Sequence, residues 1–582
     1  MGIIFSGGPQ SVYDNNALML DNKIFELNKP ILGICYGHQL MTHSLGGEVK
    51  AGKVREYGKA KLNILKENSL FKNINTQTTV WMSHGDSVAK LPDGFKKIAE
   101  TNDCPITSMA DENRKFYGLQ FHPEVDHTIE GVQIIKNFVL NICQAEQNWH
   151  IEDIINNLQE KIKQQVGSPA KSLRNNGASK KVFILVSGGV DSNVAFSLLT
   201  KTLGEDRVKG LYIDTGFMRK NESAEIKQGF INAGFKNFET YDASDMFFKN
   251  LENIYEPEKK RKIIGQTFLD AKDTQIKKLG LNSDDWLLGQ GTIYPDVIES
   301  GGTKNAQKIK THHNRVDAIK KMIAEGKIIE PLIDFYKFEV REIGKQLGLP
   351  NELINRHPFP GPGLAIRCLC SKNEAVPRSY EHNNVDKNLQ LKNIQKQVDE
   401  LFEKKFNNAK QKVLPLKSVG VQGDNRTYAH PLVTWNENDW NKLDEISSTI
   451  TNAIKDINRV ILLLNPAKEN NFKLSDDNLF LDKNRINTLR EIDDIVMHNM
   501  KESGVYDEIL QFPVVLIPIT NDSGKESIVL RPIYTRDFMT VNFYHMKKNI
   551  LDKITSEILA TGKIAYVFYD ITNKPPGTTE WE

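Results

Sequence analysis

The sequence predicts an α/β protein of several domains. Three observations carry that expectation. The chain has 582 residues, which at about 150 residues per domain suggests about four domains, or fewer large ones. Short apolar runs such as Pro30-Ile31-Leu32-Gly33-Ile34 and Val182-Phe183-Ile184-Leu185-Val186 read as buried strands. Each runs into a glycine-bearing turn and then a helical pattern, the signature of strand–helix alternation. Hydrophobic residues make up 39% and charged residues 26%, the balance of a globular rather than a disordered chain.

Charge and cysteine content narrow the function classes. Lys+Arg is 76 and Asp+Glu is 74, a net charge of +2. No charge block stands out, which argues against nucleic acid or an acidic membrane as the partner. The strongest apolar runs, Val460–Leu464 and Val514–Ile517, fall far short of the roughly 18 to 20 residues of a membrane span. Five cysteines, Cys35, Cys104, Cys143, Cys368 and Cys370, form no C-x-x-C pair, and the odd count points to a reducing, cytoplasmic compartment. Cys368-x-Cys370 reads as structural. The start carries no signal-peptide pattern. Met1–Ser6 fits a myristoylation pattern formally, but reads better as a buried strand entering a Gly-Gly turn.

Four stretches separate along the chain. Residues 1–148 alternate short strands with helical stretches. Residues 149–181 hold an amphipathic helix over 151–166 and then a polar linker, GSPAKSLRNNGASKK. Residues 182–366 repeat strand–helix units and read as a second parallel sheet. Residues 367–582 contain two copies of one order: helix, V-x-x-(x)-P strand, helix, strand. The first copy covers about 386–465 and the second about 488–582. The polar stretch 465–486 between them reads as a surface loop.

The first chemical motif surrounds a cysteine. The strand 30–34 leads to Cys35-Tyr36-Gly37-His38-Gln39, and Leu40-Met41 opens a helix. Gly33 and Gly37 flank the cysteine at two residues on either side, which permits the sharp turn that exposes a nucleophile. A helix N-terminus favours a thiolate. Phe121-His122-Pro123-Glu124-Val125 supplies a base. In an extended strand His122 and Glu124 would face the same way, so Glu124 can orient His122. Ser6-Gly7-Gly8-Pro9 follows another strand, and its glycines let backbone N–H groups approach an oxyanion. Together these pieces resemble the class I glutamine amidotransferases. The resemblance implies a flavodoxin-like domain in which Cys35 attacks a glutamine carboxamide with His122 and Glu124. It also implies an oxyanion and glutamine site at Gly7, Gly8, Tyr36 and Gln39, with Met82-Ser83-His84-Gly85-Asp86 nearby. Such domains begin with a strand, a helix and a second strand before the segment matching Gly2–Gly8, so either the sequence is N-terminally incomplete, the favoured reading, or the sheet has lost two strands.

The second motif is Ser187-Gly188-Gly189-Val190-Asp191-Ser192, between a buried strand and a helix. Small residues there let N–H groups wrap a phosphate at a helix N-terminus. No Lys-Ser/Thr follows, so it is not a Walker loop. The near-miss Gly47-x-x-x-x-Gly52-Lys53 has Val54 in place of the hydroxyl residue. The S-G-G-x-D-S pattern resembles the PP-loop of ATP pyrophosphatases, which implies an adenine nucleotide alpha hydrolase-like domain binding ATP through Ser187, Gly188, Gly189, Val190, Asp191 and Ser192.

A PP-loop fits several ligases. Four further stretches, Gly291–Ser300, Lys310–Asn314, Arg356–Leu364 and Lys574–Glu582, all resemble the glutamine-hydrolysing GMP synthetase family in its long, eukaryotic-type form. That resemblance implies ATP-dependent amination of xanthosine monophosphate (XMP) to GMP, with ammonia drawn from glutamine through an adenyl-XMP intermediate. It implies XMP contacts at Arg261, Asp424, Gln511, Lys574 and Glu580, and a lid carrying Asp296, Glu299 and Lys310. Mg²⁺ comes with ATP chemistry, with no ligands assigned. The doubled C-terminal α+β unit, of a kind that dimerises in shorter relatives, leads to the expectation of a monomer built on an internal pseudo-dimer; an ordinary homodimer is the alternative. Two other readings are an ammonia-only ligase with a silent amidotransferase domain and a non-catalytic scaffold. An assay of glutamine against ammonium separates the first from the leading reading, and an intact Cys35–His122–Glu124 set and PP-loop argue against the scaffold.

Overall fold

The computed structural model describes residues 1–8, 10–14, 17, 19–125, 127–147, 151–167, 180–280, 285–299, 327–354, 357, 359–372, 387–406, 409–422, 425–466, 471–534, 541–574 and 576–582. These residues form two compact units that part between 147 and 151. No helix among them is long and apolar enough to cross a membrane.

The first unit is built on one seven-stranded sheet. β1 (Ile3–Phe5), β2 (Ile31–Ile34) and β7 (Phe116–Leu119) run parallel to one another. Beyond β7 the sheet continues antiparallel through β6 (Ser108–Asp111), β5 (Lys96–Glu100), β3 (Glu48–Ile64) and β4 (Gln77–Lys90). Only three strands therefore follow the alternating pattern expected from the sequence. The β3–β4 hairpin escaped that reading because one face of it is wet. Along β4 only Val80, Met82, His84 and Val88 are buried, so polar residues dilute the apolar signal. β1 is also less buried than expected. It lies at the end of the sheet order with β2 as its partner, and Phe5 is buried while Ile4 is 47% exposed. Helix α1 (Tyr36–Ser44) follows β2 directly.

The second unit holds two large sheets. In the first, β8 (Lys181–Leu185), β9 (Val208–Asp214), β10 (Phe238–Asp242), β11 (Trp286–Gly289) and β12 (Ile328–Ile329) are all parallel. Their order is β10-β9-β8-β11-β12. The chain reverses direction across the sheet between β8 and β11, which opens a crevice at their carboxyl ends. Helix α2 (Val190–Leu203) leaves β8 there, with Val194, Phe196, Leu198 and Leu199 buried.

The other sheet is made by the C-terminal residues. Its central path is β13 (Lys410–Val413), β15 (Asn425–Trp435), β16 (Ile457–Leu463), β19 (Val567–Asp570), β18 (Ser527–Leu530) and β17 (Val514–Ile517), with β14 (Ser418–Gln422) paired to β15. The order reads the same from both ends. β15 and β16 are parallel, as are β18 and β19; β13 and β17 are antiparallel to their neighbours. β16 and β19 meet antiparallel, with Leu462 opposite Tyr569, Ile461 opposite Asp570 and Leu463 opposite Phe568. Each half also carries a helix before its outer strand and one before its central strand: Lys387–Lys405 and Trp440–Ala453 in the first, Lys483–Glu502 and Lys548–Ala560 in the second.

At this junction lies a buried charge cluster. Arg459, Arg531 and Asp570 are all fully buried. One oxygen of Asp570 accepts from Arg459 at 2.8 Å and from the Trp581 indole at 2.9 Å, and lies 2.8 Å from Arg531. Arg459 also donates to the carbonyls of Val419, Thr578 and Glu580, and Arg531 to those of Thr572 and Thr578. Burial would raise the Asp570 carboxyl, but the two guanidiniums hold it below its ordinary value. Removing the anion leaves two facing cations in a dry site. Asp570→Asn is expected to destabilise the second unit by about 3–5 kcal/mol and to release the C-terminal residues to proteolysis. Urea unfolding with limited proteolysis measures both, and a wild-type profile would show that the cluster does not hold the tail.

Candidate active sites

Three parallel strands of the first unit end at one place. β1 delivers Ser6-Gly7-Gly8, β2 delivers Cys35 and β7 leads to His122. Cys35 has φ 51 and ψ −109, a left-handed conformation that few non-glycine residues adopt. Such strain marks a nucleophile turn. The turn needs its small neighbours: a Cβ on Gly37 would lie 2.2 Å from the Phe5 carbonyl oxygen. A Cβ on Gly7 would lie 3.1 Å from the His122 ring and 3.6 Å from the Cys35 Cβ, so the Gly7 backbone borders the cysteine and the imidazole directly.

His122 Nδ1 lies 2.7 Å from Glu124 Oε1. The pairing matches the sequence reading, but its means differ. Residues 121–125 form a turn, not a strand, since Pro123 cannot donate to a sheet ladder. The His122 N–H donates to the Trp81 carbonyl, and Thr128 caps the His122 carbonyl at 2.6 Å. The Cys35 sulfur, then Glu124, raise the His122 imidazole to about 10 against a smaller effect of burial. His122 therefore carries a proton across the neutral range and can hand it to a leaving group.

Asp86 closes this site. Its carboxylate accepts from the hydroxyls of Ser11 and, at 2.7 Å, Tyr13. Gln39 Nε2 donates to the Asp86 carbonyl at 2.9 Å and to Gln120 Oε1 at 3.2 Å. Gln120, Ser11 and Tyr13 were not anticipated from the sequence. Gln120 immediately precedes Phe121-His122, and that adjacency was the available signal.

The loop Ser187–Ser192 sits at the mouth of the β8/β11 crevice. Ser192 Oγ binds the Ser187 N–H at 3.1 Å and the Gly189 carbonyl at 3.0 Å, which fixes the loop as a tight wrap at the start of α2. The segment after β11 touches it: a Cβ on Gly291 would lie 2.9 Å from Ser192 Cα. Asp191 has one oxygen 3.5 Å from Lys337 and the other buried with no hydrogen-bond partner. Burial raises its carboxyl, Lys337 opposes that, and the nearby Asp296 charge adds to the rise.

Of the five residues expected to contact XMP, Glu580 lies in the C-terminal tail and Arg261 meets it. Glu580 accepts two hydrogen bonds from Arg367, at 2.9 and 3.0 Å. Arg261 donates to the Glu582 carbonyl, and its neighbour Lys260 pairs with the Glu582 carboxylate. Arg367 stacks on Phe359, which Arg219 also faces, at 5.2 and 4.8 Å. Lys574 pairs with Val541, and Gln511 with Ile533. The two-residue strands Ile533–Tyr534 and Asn542–Phe543 pair with each other and so join Gln511 to Lys574. Asp424 and Lys310 lie outside the described residues, as do Arg356 and Pro358. Asp296 and Glu299 belong to the short helix Tyr294–Glu299. No group of three or more metal-ligating side chains occurs among the described residues.

The class I glutamine amidotransferase family matches residues 1–142, and the GMP synthase C-terminal domain family matches residues 498–581. A Leptospira interrogans protein described as a probable glutamine-hydrolysing GMP synthase is 45% identical over the whole of this chain and 92% of its own length. The chain belongs to the glutamine-hydrolysing GMP synthase family. The Dictyostelium discoideum GMP synthase is 38% identical, again over the whole chain and 87% of its own. The Aquifex aeolicus GMP synthase is 40% identical but aligns with 79% of this chain. Full-length GMP synthase relatives thus occur in a bacterium as well as a eukaryote, so the long form is not confined to eukaryotes.

The titration of His122 tests the amidotransferase geometry of this synthase family member directly. Its raised value means that the associated stability is fully present below the ordinary pH of about 6.5 and is lost as pH rises through about 10. Glu124→Gln is expected to move the His122 midpoint downward. NMR of ¹³C-labelled histidine reads it, and an unmoved midpoint would remove Glu124 from the proton balance.

Proposed function

We propose that this chain converts XMP, ATP and glutamine to GMP, AMP, pyrophosphate and glutamate. The observation that carries the reading is Cys35, held at φ 51 beside a His122 that Glu124 orients, in a chain related over its whole length to GMP synthases. Cys35 Sγ attacks the glutamine carboxamide carbon, with the oxyanion received by backbone N–H groups near Gly7, Gly8 and Tyr36. His122 gives its proton to the departing nitrogen, ammonia leaves, and water then hydrolyses the thioester to glutamate.

Residues 182–366 act as the PP-loop pyrophosphatase domain. Ser187–Ser192 hold the ATP phosphates, and the XMP O2 attacks the α-phosphorus to expel pyrophosphate. Ammonia then adds at C2 of the adenyl-XMP and AMP departs. The buried, unpartnered oxygen of Asp191 suits the Mg²⁺ that accompanies ATP. Arg261, Asp424, Gln511, Lys574 and Glu580 contact XMP, with cations toward its phosphate. Arg367 sets the orientation of Glu580 before the purine arrives. Asp296, Glu299 and Lys310 belong to a lid that keeps water from the adenylate.

Paired variants test the two-site reading. Cys35→Ala is expected to abolish glutamine-driven GMP synthesis and to retain ammonium-driven synthesis. Asp191→Ala is expected to lose both. Failure of high ammonium to rescue Cys35→Ala would defeat the reading.

The mirrored sheet order supports the internal pseudo-dimer. β16 and β19 supply to each other, within one chain, the contact that two subunits would otherwise supply. The expected species is a monomer near the 66.1 kDa chain mass. Light scattering over a dilution series measures it, and a dilution-independent mass near twice that value would exclude the internal pair.

A further inference from the structure

Gln120 is fully buried behind the cysteine turn, and its two amide ends have different partners. Its Nε2 donates toward Cys35 Sγ at 3.9 Å. Its Oε1 accepts from Gln39 Nε2, which also donates to the Asp86 carbonyl. Both protons of the Gln39 amide are thereby engaged, which fixes which end of that amide faces Gln120 and Asp86.

The sulfur has two possible arrangements. As a thiol, Cys35 donates to the Ser83 carbonyl at 3.6 Å. As a thiolate it has no proton to give, and a carbonyl oxygen facing it is repulsive. The thiolate then needs donors, and Gln120 Nε2 is one that stays in place because Gln39 holds its other end. Resting on the glutaminase reading above, we infer that Gln120 is a positioning residue for glutamine hydrolysis. It supports the reactive sulfur through its N–H group and fixes the amide sense of Gln39 through its carbonyl.

Two variants separate these roles. Gln120→Glu keeps an acceptor for Gln39 but has no N–H for the sulfur. Gln120→Met keeps the length and removes both. The readouts are kcat and KM for glutamine hydrolysis, and the rate of Cys35 alkylation by iodoacetamide at neutral pH, followed by mass spectrometry without glutamine. With Gln120→Glu, kcat and the alkylation rate are expected to fall about tenfold, the scale of one hydrogen bond to a charged group, with KM little changed. With Gln120→Met, KM is expected to rise as well, because the Gln39 amide is freed to turn. An unchanged alkylation rate in both variants would overturn the inference, whatever happens to turnover, since a merely structural role would leave the sulfur alone. Wild-type protein that is alkylated at Cys35 yet releases no ammonia from glutamine would count against the glutaminase reading instead, and the alkylation comparison would still decide the role of Gln120.

Discussion

One carboxylate at the centre of the C-terminal sheet, Asp570, faces two arginines and an indole, all inside the protein. Burying two cations on a single anion is costly unless the remaining N–H groups find acceptors. Most of them do, and the acceptors are backbone carbonyls of the last residues, Thr578 and Glu580 among them. The cluster is therefore satisfied only when the C-terminal tail lies in place. The tail then carries Glu580 to Arg367 and Glu582 to Lys260 and Arg261. Glu580 and Arg261, two of the residues proposed to contact XMP, are thus arranged through a tail that the charge cluster holds.

A comparable dependence governs the amidotransferase unit. The positive φ at Cys35 costs about 1–3 kcal/mol, and the surroundings must hold it. Phe5 from β1 closes over Gly37, and the Cys35 N–H bonds to the Leu119 carbonyl at 2.7 Å. Neighbouring strands thus pin the turn, and the same strands bring Gly7 and His122 to it.

These two dependences mark the limit of what the sequence disclosed. The cysteine turn, the strand–loop–helix at Ser187–Ser192 and the C-terminal succession of helices and strands were legible because each is written in consecutive residues: glycines at fixed offsets, or apolar runs of strand length. The helix Ile151–Val166 and the strands Ile457–Leu463 and Val514–Ile517 overlap the segments picked out by periodicity and by apolar runs. What stayed hidden has partners far away in the chain. Arg367 meets Glu580 across 213 positions and Arg459 meets Asp570 across 111, and a lone arginine looks like a solvated surface charge until its partner is known. Gln120 meets Cys35 across 85 positions, so only its adjacency to Phe121-His122 pointed to it. β3 and β4 were missed for another reason: a strand with one wet face and many Lys, Thr and Ser residues has too little apolar contrast to declare itself.

The mirrored sheet also explains why the tail is gripped on one side only. The strand registers place the local two-fold at the Leu462–Tyr569 pair. Matching Val460 to Val567 and Leu432 to Ile528 through the parallel pairs makes Leu463 the mate of Asp570, Tyr566 the mate of Arg459, and Trp435 the mate of Arg531. Among the described residues the mated end carries no charge cluster. Tyr566 packs on Phe472 with ring centroids 4.9 Å apart, and Phe472 on Trp435 at 6.0 Å. Two identical subunits could not differ this way, because an isologous contact repeats every residue on both sides. With both halves in one chain the constraint is lifted. One end of the axis is free to become an apolar clasp, while the other keeps the charges that hold the C-terminus at the proposed nucleotide site.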